Sequence, residues 1–77
     1  MKEQEHAKKE LQEQLERVKQ RLQILDMIEE KLLQMKGLAQ WVANENVTDE
    51  EMQKIDKNVK DLEEQVRLLD SESTKLS

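Results

Sequence analysis

The side chains that could do acid–base, nucleophilic or metal chemistry are few: one His, no Cys, and carboxylates spread along the chain. His6 lies in a charged N-terminal turn with no second His or Cys at a ligand spacing, so one imidazole is left to build a metal or haem centre, which it cannot do. Asp49, Glu50 and Glu51 form a run that resembles a cation cluster. A helix N-terminus attracts acids for electrostatic reasons, however, and capping explains the run without an ion. The sequence also holds no Gly-rich phosphate loop, no Ser/His/Asp set and no Cys/His pair. These observations point to a non-catalytic protein that uses no cofactor and no metal.

What must then be explained is an architecture that recognises other proteins. Seventy-seven residues make a single domain with a thin core, and no disulfide is available to staple it. With 40% charged residues, no Pro, one Gly and one aromatic side chain, the composition favours helix and disfavours sheet. The same composition also suits a disordered chain. Heptad spacing decides against disorder.

From Leu11 the apolar residues run Leu11, Leu15, Val18, Leu22, Leu25, then Ile28, Leu32, Met35, Ala39, Val42. Three- and four-residue steps alternate as in a coiled-coil seam, except for one missing four-step between Leu22 and Ile28. Such a stammer either overwinds the supercoil or marks the place where the helix changes partner. The second run, Met52, Ile55, Val59, Leu62, Val66, Leu69, Ser73, Leu76, alternates without a break, and only Ser73 departs from apolar character.

Between the two runs the chain stops and restarts. Asn44 or Asn46 suits the left-handed conformation that ends many helices. Thr48 fits the N-cap, and Glu51 three residues on completes a capping box in which hydroxyl and carboxylate serve each other's backbone N–H groups. Val47 and Met52 occupy the positions of a hydrophobic staple around that cap. The alternative, one continuous helix through residue 47, must explain these signals away. The sequence therefore predicts an all-α antiparallel helical hairpin: a first helix over about 2–43, a turn at 44–47, a second helix over about 48–71 and a frayed end at 72–77.

In that hairpin Met35 falls opposite Val59, Leu32 opposite Leu62, Ile28 opposite Val66 and Leu25 opposite Leu69. Lys36 then faces Asp56 and Arg21 faces Glu72, while Glu29 and Glu63 meet as like charges. The second helix ends near Val18, leaving Leu15, Leu11 and Ala7 without an intramolecular partner, and so long an overhang is hard to sustain alone. Ile24, Met27, Leu33, Leu38 and Trp41 widen the apolar face beyond one seam. Leu11, Leu15, Ile24, Met27, Leu33, Leu38 and Trp41 are accordingly the candidate interaction residues. A homo-oligomer, either a dimer or a four-helix bundle, covers them most economically. A helical adaptor or chaperone that grips a partner protein through this face and Trp41 is the alternative, since Trp is enriched at interface hot spots. Gly37, costly in a helix, suggests a close approach or a bend.

Charge narrows the partners. Residues 1–43 carry eight basic and eight acidic side chains and residues 44–77 carry five and ten, so the net −5 resides in the second half. That balance argues against nucleic acid and against anionic membrane surfaces, and leaves an acidic mimic of nucleic acid as a third possibility. No run reaches the length of a membrane span, and the opening residues lack the apolar stretch of a signal peptide, so a cytoplasmic address is expected.

From Leu32 onward the chain resembles the N-terminal helical hairpin of bacterial flagellins. The matching residues are Met35-Lys36-Gly37-Leu38-Ala39, Ala43-Asn44, Thr48-Asp49, and the heptad positions Ile55, Val59, Leu62, Val66 and Leu69. The likeness covers about residues 32–70 and aligns without a gap. Gln34 and Met52 stand where flagellins often have Arg, and the flagellin N-terminal signature and C-terminal helix are missing, so a complete filament subunit is not expected. The resemblance implies a small bacterial flagellar-type coiled coil whose hairpin packs in a helical assembly, with export without a cleaved signal peptide as the alternative address.

Overall fold

Good helix formers dominate both halves of the chain and no Pro interrupts them, so helix propagates until a cap stops it. The computed structural model of the protein describes residues 2–76. It contains two helices, α1 (Lys2–Asn44) and α2 (Asp49–Lys75), packed against each other as an antiparallel hairpin and joined by the four residues 45–48. Among the described residues there is no strand.

Thr48 is the N-cap of α2. Thr48 is extended (φ −72°, ψ 162°), its Oγ1 accepts from the Glu51 backbone N–H at 3.2 Å, and its carbonyl accepts from the Met52 N–H at 2.9 Å. The return arm differs from the expected box: the Glu51 carboxylate receives the Thr48 hydroxyl at 3.1 Å. Asp49, Glu50 and Glu51 fill the first turn, where the helix dipole is positive. A side-chain cap of this kind is worth about 1 kcal/mol.

The two other ends correct the sequence reading. No non-Gly residue among those described has a positive φ, so neither Asn44 nor Asn46 takes the left-handed conformation. With four linking residues available, α1 needs no tight reversal; the Glu45 N–H still donates to the Trp41 carbonyl at 3.0 Å before the chain straightens toward Thr48. The stretch 72–75, expected to fray, is helical, and Ser77 lies outside the described residues. Helix α2 continues to Lys75, and the Leu76 N–H closes it on the Ser73 carbonyl. Ser73 is the most buried of the described residues at 4% exposure. Leu76 shares a groove with Gln20, Gln23, Ile24 and Met27 of α1, which ties the last turn down.

Packing runs along one seam. On α2 the inward residues are Ile55, Val59, Leu62, Val66, Leu69 and Ser73, with Ile55 and Leu62 at 7% and 9% exposure. On α1 the half-buried residues are Ile24, Ile28, Lys31, Met35, Leu38 and Val42. Read in opposite directions, both sets step by four, three, four, three and four, so they mesh one to one from Val42 with Ile55 to Ile24 with Ser73. A groove lined by Leu38 and Gly37 on one side and Asn58 and Leu62 on the other has the same register. The expected pairing is therefore displaced: Met35 meets Leu62 in place of Val59, and Leu25 and Leu32 leave the seam. Lys31 enters it, half-buried, a position that a long cationic side chain tolerates because its stem is aliphatic and its charge can reach water.

The result is a rod of 69 × 18 × 11 Å whose radius of gyration is 19.6 Å. A globular chain of this length would have a radius near ~11 Å. Gly37 marks no close approach between the helices, because a Cβ built there would meet nothing within 4 Å. Gly37→Ala is expected to raise stability by up to about 1 kcal/mol, through lost backbone freedom in the unfolded chain. A higher midpoint in urea unfolding followed by circular dichroism would show it, and an unchanged or lower midpoint would refute it.

Candidate interaction surface

An exposed seam lies beside the occupied one. Leu11, Leu15, Val18, Leu22, Leu25 and Leu32 all remain exposed, Leu15 by as much as 68%. From Leu11 to Leu25 they step by four, three, four and three, an unbroken heptad stripe. In the hairpin part of α1 each member follows a residue facing α2: Leu25 after Ile24, Leu32 after Lys31, Ala39 after Leu38. One residue turns the helix by ~100°. α1 thus carries two apolar stripes roughly at right angles, one covered by α2 and one open, and this explains the stammer. Leu22 and Leu25 belong to the open stripe and Ile28 to the covered one, so the missing step marks the shift from one stripe to the other.

The open stripe also extends beyond the hairpin. Leu76 lies in a groove with Val18 and Arg21, and it is the last α2 residue described. Residues 2 to about 13 of α1 lie past the Leu76 groove, whose α1 lining begins at Gln14, and project as a single helix for about 18 Å. All of them that are described are exposed.

The seven candidate residues divide into two groups. Ile24 and Leu38, expected on the free flank, are half-buried in the α1–α2 seam, because the register differs from the expected one. Leu11, Leu15, Met27, Leu33 and Trp41 are exposed. Leu11 and Leu15 belong to the open stripe and Leu33 lies at its edge. Met27 and Trp41 sit on the opposite flank, Met27 in the groove with Leu76. Trp41 is 41% exposed, so its indole only partly packs. Around the cap Val47 is half-buried while Met52 stays exposed, and Glu51 occupies the inward position in its place. The sequence reading missed Leu22, Leu25 and Leu32 as open positions, having assigned them to the intramolecular seam.

Electrostatics contribute little to the hairpin. Among the described residues every ion pair is within one helix: His6 with Glu10, Lys60 with Asp56 at 3.0 Å, and Arg67 with Glu64 at 2.6 Å. The Lys36–Asp56 and Arg21–Glu72 pairs expected between helices are absent, and Asp56 is taken by its own helix. The Arg67 guanidinium hydrogen-bonds Glu64 and holds its carboxyl below the usual range. Both groups are fully exposed, and such pairs add little stability.

No group of three or more His, Cys, Asp or Glu among the described residues is gathered as metal ligands would be. No helix among them is long and apolar enough to cross a membrane. No protein-family model, no curated protein and no solved structure matches this chain.

The division of the stripes has a direct test. Leu38→Asp places a charge in the seam and is expected to lower the unfolding free energy by about 3 kcal/mol or more, whereas Leu33→Asp leaves the hairpin within about 0.5 kcal/mol. Thermal melts at the lowest workable concentration compare the two; equal losses would contradict the assignment.

Proposed function

We propose that this protein is a non-catalytic coiled-coil interaction module that works by self-association through the open stripe of α1. The observation that carries the reading is the unbroken run Leu11, Leu15, Val18, Leu22, Leu25 on a helix that extends past its intramolecular partner. Contiguous apolar surface of this kind marks an interaction site, and an isolated helix shorter than about 12–15 residues is marginal in water. Surface area points the same way. The chain exposes 6802 Å², against about 4900 Å² for a compact monomer of its mass.

The expected oligomer is a dimer or tetramer at micromolar concentration in sedimentation equilibrium. A monomer with a cooperative thermal transition would refute the reading. Leu15→Asp should weaken association roughly tenfold or more, since the charged side chain must lose water where a leucine was buried.

A second reading, a helical adaptor or chaperone that grips a partner protein, is favoured by Trp41, the only aromatic side chain, standing exposed near the hairpin tip on the flank away from the open stripe. On that reading Trp41→Ala abolishes capture of one defined partner from the native host and leaves sedimentation unchanged; an unchanged set of captured proteins removes Trp41 from consideration.

The flagellin resemblance supports a finer form of the self-association reading, in which the hairpin packs in a larger helical array of a bacterial protein. It rests on Met35–Ala39 and the Thr48-Asp49 restart, whose counterparts flank the same turn. A cytoplasmic address fits a chain that relies on no disulfide.

A further inference from the structure

We propose that the open stripe is covered by a second copy lying antiparallel along the full length of α1, so that the projecting segment of each chain rests on the hairpin of the other. The proposal builds on the self-association reading and adds an orientation and a register to it.

Charge within the stripe sets the orientation. Continued through α1 in both directions, the heptad positions include Lys8, Glu29 and Lys36, all exposed. A parallel pair would align each with its own copy, stacking like charges at three levels of one seam, which is unfavourable. It would also bring the two hairpins side by side. Residues 22–76 carry seven basic and thirteen acidic side chains, whereas residues 2–21 carry six and five. Antiparallel docking instead places the nearly neutral N-terminal segment of one copy on the acidic hairpin of the other, keeping the two acidic hairpins apart.

Charge beside the stripe sets the register. When Leu22 faces Leu25 of the other copy, Leu15 faces Leu32 and Lys19 falls beside Asp26. Sliding by one heptad in one direction brings Lys19 against Lys19 and Arg21 against Arg21; sliding in the other brings Asp26 against Asp26. The favoured register also overlaps α1 with α1 from end to end, and every pair occurs twice, as a twofold interface requires. Glu29 and Lys36 then lie against Val18 and Leu11, with their aliphatic stems over apolar neighbours and their charges at the rim. The surface exceeds that of a compact monomer by about 1900 Å² per chain, more than the ~800 Å² each partner gives to a standard interface.

The chain has no Cys, so introduced thiols report unambiguously. Leu15 and Leu32 are about 25 Å apart on one helix, beyond the reach of a short bifunctional thiol reagent within a single chain. The Leu15→Cys/Leu32→Cys double variant is expected to give a covalent dimer, and neither single variant should. Lys19→Cys/Asp26→Cys repeats the test outside the apolar stripe and is expected to yield covalent dimer where Lys19→Cys alone does not. Cross-linking of the single Leu15→Cys variant would establish a parallel pair, and cross-linking of Lys19→Cys alone the slipped register; either overturns the proposal. Sedimentation of the same samples separates the two levels: an oligomer that none of the double variants cross-links sinks the register but leaves self-association standing, and a monomeric wild type sinks both.

Discussion

One inequality governs this molecule: α1 has 43 residues and α2 has 27, and a single seam joins them. Burial of apolar surface is the main force holding two helices together, and it acts only where both are present. α2 supplies six seam residues and a well-capped start, and α1 answers with six of its own. Toward its N-terminus the longer helix keeps Leu11 and Leu15 exposed, because the described part of the shorter arm ends at the Leu76 groove. Its elongated shape and its large surface both follow from this difference in length.

Much of the fold was legible in the sequence because it is written in local chemistry. The Thr48 cap depends on residues within three positions of one another, and the heptad of α2 depends on spacing alone. Ser73 departs from the apolar pattern, yet the structure places it at the most buried point of the seam, where a small side chain fits beside Ile24. Its burial also explains why the last turn is held.

The register of α1 was less legible, for a physical reason. α1 offers two apolar stripes one residue apart, and periodicity alone does not say which of them α2 will choose. Counting Leu and Ile favours the stripe through Leu25 and Leu32. The structure uses the one through Lys31, and the step pattern of the two helices then meshes without an exception. A lysine stem contributes apolar area that its charge conceals from a composition-based reading. Ile24 and Leu38 consequently moved from the candidate surface into the seam, and Leu22, Leu25 and Leu32 moved the other way. The stammer lies in the spacing itself, but only the position of α2 identifies it as the shift between the two stripes.

Trp41 has a practical consequence. Because it is the sole aromatic residue, the near-ultraviolet absorbance and the intrinsic fluorescence of the protein both originate from one indole, four residues before the link begins. That chromophore is a built-in reporter on the hairpin tip, at the opposite end of the rod from the projecting segment. Optical signals from it follow events at the tip, and docking at the far end is spectroscopically dark unless a label is placed there.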